Sequence, residues 1–162
     1  MAATPINVSD KFIHPGITVV LFVPTIADPA APTRVELDAG TDLTEEVIAA
    51  GGWQLNSNRV SYNPLGSKFT PNIAGRQSVD DSSLTLPQDL AGDDVRSVLP
   101  QGTTGYIVIM HGGDVAASPM DVWPVEVSSL GKPVLPEGSE IASIAVQFAI
   151  PSEPAESVAI PA

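Results

Sequence analysis

Turn formers punctuate this chain from end to end, and that narrows its folding options most. Thirteen glycines and sixteen prolines are spread over 162 residues. Proline removes a backbone donor and clashes with the preceding helical turn. Glycine inside a helix costs about 1 kcal/mol relative to alanine. A bundle of long helices is therefore excluded, and many short strands joined by turns suit the pattern. Hydrophobic residues reach 43%, enough apolar material for a core rather than a disordered chain. The length is that of one domain.

Apolar patterning between the breakers predicts the elements. Ile17 to Val23 is the longest apolar run, and Pro24 ends it. It is about a third of the ~20 residues a membrane helix needs, so it reads as a buried strand. No leader with a charged-then-apolar pattern opens the chain. Residues 24–33 hold Pro24, Pro29 and Pro32 and read as an extended connector. Thr41 to Ala50 admits two readings: a short helix capped by Thr44 and stopped by Gly51-Gly52, or a strand favoured by β-branched Val47 and Ile48. Trp53 to Val60 alternates, with Trp53, Leu55 and Ser57 on one face.

From 61 to 81 the chain carries Pro64, Gly66, Pro71 and Gly75 with no strong period, and reads as a long arm or loop. Beyond it, Ser82–Leu86 is a predicted strand with Leu84 and Leu86 inward. Asp93–Leu99 is a short helix with acids at its positive end and Val95, Val98 and Leu99 on one face. Gly105–His111 is apolar on both faces, as a central strand should be. Met120–Ser128 is a strand whose Pro124 suits an edge or a bulge. Ile141–Ile150 alternates with Ile144, Val146, Phe148 and Ile150 on one side. The expected fold class is thus mainly β (α+β): a β-sandwich or barrel with one short flanking α-helix. A single domain spans 1–162, with an N-terminal arm at 1–16, the arm at 61–81 and a C-terminal tail at 151–162.

Charge and missing chemistry restrict the function. Nineteen acids oppose seven bases, a net −12. Nucleic-acid binders need clustered Lys and Arg to neutralise phosphates, and an acidic chain repels polyanions and anionic membranes. With no cysteine there is no disulfide, thiolate zinc site or cysteine nucleophile. The two histidines, His14 and His111, stand in no metal-ligand spacing; His111 reads as a strand-end residue and His14, before Pro15, as a loop residue. Asp80, Asp81, Asp89, Asp93 and Asp94 lack the alternation of a calcium loop and read as helix caps and a solvated face. No phosphate-cradling loop is present. No catalytic, metal or cofactor residue is expected, so the chain reads as a non-enzyme. Small β domains with long arms often work by joining neighbours, and a plain surface loop is the other reading of the arm.

Three segments carry a resemblance. The first is Ala31-Pro32-Thr33-Arg34-Val35-Glu36-Leu37-Asp38-Ala39-Gly40-Thr41-Asp42-Leu43-Thr44. The second joins Ser83-Leu84-Thr85-Leu86-Pro87-Gln88-Asp89, Asp93-Asp94-Val95, and Leu99-Pro100-Gln101-Gly102-Thr103-Thr104-Gly105-Tyr106-Ile107-Val108. The third is Val146-Gln147-Phe148-Ala149-Ile150 with Pro154-Ala155-Glu156. In order and spacing these resemble the major tail (tail tube) proteins of long, non-contractile-tailed phages of actinobacterial hosts; residues 45–80 match only vaguely.

The resemblance implies a virion protein made in the host cytoplasm, with six copies in a ring and rings stacked into a tube. Its partners would be further copies of itself, a tape measure protein and a tail terminator. Residues 61–79 would bridge adjacent rings or subunits, with Tyr62, Leu65, Phe69 and Ile73 as the expected interface residues, buried only on assembly. DNA would pass through an acidic channel without specific binding, and no membrane would be involved. Three other readings compete. One is a capsid decoration or head-to-tail completion protein, and another a carbohydrate-binding or adhesive β-sandwich, which would display a row of exposed aromatics. The third is a small hydrolase with two scattered carboxylates.

Overall fold

The computed structural model describes residues 3, 5, 6, 9–92, 94–134, 138 and 140–162. In chain order these residues form β1 (Val19–Val23), α1 (Arg34–Asp38), β2 (Thr41–Asp42), a 3₁₀ turn (Thr44–Glu46), β3 (Ala49–Gly51), β4 (Leu55–Ser61) and β5 (Asn72–Val79). Then follow β6 (Ser82–Pro87), α2 (Val95–Val98), β7 (Thr104–Met110), β8 (Pro119–Gly131), β9 (Ser143–Ala149) and β10 (Ala155–Ala159).

Eight strands form one antiparallel sheet in the order β2-β1-β7-β8-β9-β6-β3, with β10 added beside β8. β2 and β3 end this order, yet only residues 43–48 separate them in the chain. Seven extended steps span at most about 25 Å. A flat seven-strand row at about 4.8 Å per strand would put its ends roughly 29 Å apart before twist, so the sheet rolls towards closure. The connecting segment drops Leu43, 4% exposed, into the interior of the roll. The Ile48 N–H donates to the Thr85 carbonyl at 2.8 Å and draws β3 onto β6.

Pleat alternation sorts the core into two clusters. Val20, Phe22, Ile107, Ile109, Trp123, Val125, Val127, Leu84, Leu86, Ile144, Val146 and Phe148 fill the roll, with Val95 of α2 and Leu99 just after it beside them. The opposite face of β1, β7 and β8 presents Val23, Val108, Met110, Met120 and Val122, covered by Ile26, Leu37 of α1 and Ile160. β7 is buried on both faces and lies between β1 and β8, as its uninterrupted apolar run predicts. The alternating 141–150 run and the 82–86 run are β9 and β6, paired with Leu84 opposite Val146.

The expected mainly-β fold with a short helix is present, with differences of physical interest. The described residues hold two α-helices. α1 begins directly after the segment read as an extended connector, whose last residue, Thr33, caps it through a capping box. The Glu36 N–H donates to the Thr33 hydroxyl, while the Glu36 carboxylate accepts from the Thr33 N–H at 2.7 Å. The Thr-x-x-Glu spacing was visible in the sequence, but three prolines upstream masked it. Neither reading of Thr41–Ala50 holds throughout: the segment divides into β2, a 3₁₀ turn and β3. Thr44 is no cap. Its hydroxyl accepts from the Val20 N–H at 3.0 Å and ties the turn to β1. The helix expected at Asp93–Leu99 is Val95–Val98, capped by Asp94, whose side chain accepts from the Arg96 N–H; Asp93 lies outside the described residues.

The arm at 61–81 is not a loop throughout. Residues 72–79 form β5, paired with β4, so only the tip and its flanks lack strand structure. The tail at 151–162 likewise contains β10, paired with β8, and buries Ile160 to 2% exposure just beyond it. Pro124 sits neither at an edge nor at a bulge. β9 pairs with β8 from Glu126 onward and β10 from Val122 backward, so residues 123–125 have no ladder partner on that side. Proline's missing donor costs nothing where the neighbouring strand changes over.

Candidate assembly surface

β4 and β5 form a separate two-stranded sheet. In the chain it continues the β3–β6 pair outward: β3 leads into β4, and β5 returns into β6. The result is one long hairpin whose inner half closes the roll and whose outer half leaves the body. Its root is well anchored. Trp53 packs edge-on against Trp123 at 5.7 Å between ring centroids and lies tilted against Phe148 at 5.5 Å. The Trp53 indole N–H donates to the Ser83 carbonyl at 3.2 Å. The fully buried Ser82 hydroxyl reaches the Gly52 carbonyl at 3.1 Å. Gly52 has a φ of +79°, and a Cβ there would lie 2.0 Å from the Asp81 carbonyl oxygen, so only glycine fits the turn.

Beyond the root the hairpin is bare. Val60, Tyr62, Leu65, Phe69 and Ile73 are all exposed, Leu65 completely. Val60 faces Ile73 across the ladder. Alternation puts Tyr62 on the same face, so an apolar strip runs towards the tip, where Leu65 and Phe69 stand. An isolated two-stranded ribbon with no covered face is marginal in water. The four residues singled out from the sequence therefore share one projecting element.

Charge sets this element apart, a signal the sequence contains but apolar patterning does not reveal. Arg59, Lys68 and Arg76 fall between residues 47 and 79, and no acid does. All three are exposed, and none makes an ion pair among the described residues. The remainder of the chain is correspondingly more acidic than the net charge suggests.

Elsewhere several polar side chains tie the elements of the body together. Arg34 on α1 bonds Asp38 at 2.9 Å and forks onto both oxygens of Asp114, at 2.6 and 2.5 Å, clasping the loop after β7. This fork holds the Asp114 carboxyl below the usual carboxylate range. Backbone donors from Thr33 and Ala27, with the Thr33 hydroxyl, do the same for Glu36. The Arg96 guanidinium lowers Asp94. His111 Nε2 lies 2.9 Å from Asp121 of β8, whose other oxygen accepts from the Ser157 N–H. His14 stacks edge-on with His111 at 5.9 Å. Among the described residues no group of three or more His, Asp or Glu side chains could hold a metal, and no helix is long and apolar enough to cross a membrane.

The sequence profile of the phage tail tube protein family matches residues 6–162. The chain belongs to that family. It is a structural protein of the phage tail, and its place is the virion. The tail tube protein also shares its fold with chains in three solved assemblies. A chain of the anti-feeding prophage tube-terminating cap superposes with a TM-score of 0.57 at 16% identity, over 97% of this chain and 96% of that one. One from the sheath/tube terminator of an extracellular contractile injection system gives 0.60 at 12%, over 91% and 97%. One from the six-fold symmetrised anti-feeding prophage baseplate gives 0.62 at 9%, over 91% and 95%. No curated protein matches the tail tube protein in sequence.

Proposed function

We propose that six copies of the chain form a ring, that rings stack into the tail tube, and that the β4–β5 hairpin is the arm joining one copy to the next. The observation that carries this is the hairpin itself, a projecting ribbon with five exposed apolar side chains and no cover from its own body. Tyr62, Leu65, Phe69 and Ile73 become buried on assembly. Closing a ring also removes the exposed edges of an open sheet. The likeness to a chain of a six-fold symmetrised assembly supports the number six.

The role is structural rather than catalytic. The folding unit is residues 1–162, with the hairpin and the N-terminal arm as its extensions. Partners are further copies, with a tape measure protein inside and a terminator at the end. Six copies at −12 each bring −72 to a ring. Screening limits the field to about 8 Å at physiological salt, so only acids on the channel wall act on the genome. Those repel phosphate and let DNA slide without sticking.

Negative-stain electron microscopy of concentrated protein, with mass from light scattering, tests the reading. Hollow tubes or six-fold rings are expected. Trimers, or globules that never assemble at high concentration, would refute the six-membered ring and its stacking.

A further inference from the structure

The hairpin is basic and apolar, and the body offers a groove of the opposite charge at its other end. This groove, about 460 Å³, lies between the 3₁₀ turn, the end of β6 and α2. Pro87 and Val98, both half-buried, give it its accessible apolar surface over the buried Leu43 and Leu86, and the exposed Asp42, Glu46 and Asp89 stand along its rim. Asp94 also lines it but is already held by Arg96. The Asp42 carboxylate accepts from the Thr44 N–H at 2.8 Å, and neither Asp42 nor Glu46 makes an ion pair among the described residues. A larger groove, about 790 Å³, runs along β3 and the residues before β1, but it is lined by neutral residues and the two histidines. It offers no carboxylate to a cationic arm.

Topology separates the two features. The hairpin root is at Ser82, the first residue of β6, and the acidic groove is at Leu86–Gln88, where β6 ends. Those positions are about 17 Å apart at strand rise, and the hairpin runs away from the groove. A chain therefore does not fill its own groove, whereas a copy placed end to end fills the next one.

Resting on the reading of the hairpin as the joining arm, we propose that it docks in the acid-rimmed groove of a second copy. Leu65 and Phe69 cover the apolar floor, and Lys68 between them meets Asp42 and Glu46. Arm and groove are different patches, so the contact is head-to-tail and propagates or closes a ring, instead of stopping at a dimer. The apolar residues supply affinity, while the charges select this groove over the neutral one and make assembly sensitive to salt.

The absence of cysteine makes the test clean. Full-length Leu65→Cys is mixed with full-length Gln88→Cys or Ala50→Cys at assembling concentration under mild oxidation, and cross-linked dimer is read on non-reducing gels. Cross-linking to Gln88→Cys and little to Ala50→Cys is expected. Adding Lys68→Glu to the arm chain should cut the yield at least about tenfold, and Glu46→Lys in the groove chain should restore it. All these positions are exposed, so folding is retained. Preferential cross-linking to Ala50→Cys, or indifference to the charge swap, overturns the groove assignment. If the hairpin is still shielded from protease on assembly in that case, the arm reading survives; if it stays cleavable and no cross-link forms, both fail.

Discussion

Replacing Leu65 and Phe69 together by serine separates folding from assembly. In the isolated chain Leu65 is fully exposed and Phe69 is 74% exposed, so neither holds the fold together. Exposed substitutions of this kind stay within about 0.5 kcal/mol, a melting shift of about 1–2 °C for a protein this size. If the hairpin joins copies as proposed, both side chains leave water in the tube. Fully burying a Leu or Phe side chain is worth about 1.5–3 kcal/mol, and part of the Phe69 surface is already covered. Fixing the two side chains costs about 0.5 kcal/mol or slightly more each. The net loss per contact is about 2–4 kcal/mol, which raises the concentration needed for assembly about thirtyfold to a thousandfold. Thermal unfolding of dilute protein and sedimentation of assembled material against concentration measure the two quantities. A melting temperature lowered by more than about 5 °C would mean the residues are core. An unchanged assembly threshold would mean the tip touches nothing.

Other perturbations address the scaffold behind the arm. Gly52→Ala drives a Cβ into the Asp81 backbone at a positive φ, so about 2–3 kcal/mol of stability should be lost and the hairpin root should become protease-sensitive while β7 stays protected from hydrogen exchange. Leu84→Ala, at a site with no exposure, should cost about 2–5 kcal/mol in chemical denaturation. Glu36→Gln removes a carboxyl whose folded pKa lies below its ordinary 4.5. Such a group contributes stability above 4.5 that fades as pH falls through the folded value. The variant should therefore melt below the parent at pH 7, and the two melting curves should converge as pH drops below 4.5. Arg34→Ala releases the Asp114 fork, and the loop after β7 should gain amide exchange without loss of the roll.

Much of the fold was legible in the residues because local rules and tertiary packing agree there. The continuous apolar run of β7 needs two covered faces, and the strict alternation of β9 needs one. The arm was legible in its apolar residues but not in its form. β5 reads Asn-Ile-Ala-Gly-Arg-Gln-Ser-Val, with no buried face to impose a period. α1 was hidden because five residues are too few for a helical stripe, and its capping box is the sole local mark.

By itself, then, the sequence determined the strand content, the absence of cysteine chemistry, the acidity, and the apolar residues that stand exposed on the hairpin. Those depend on composition and on spacing between near neighbours. Tertiary structure alone decided that β2 and β3 meet the two ends of one rolled sheet, that β4 and β5 project from it, and that an acidic groove lies at the far end of β6. Each of these sets residues far apart in the chain beside or away from one another. Pairing across such distances is chosen by the whole hydrophobic core closing at once, and no window of sequence contains it.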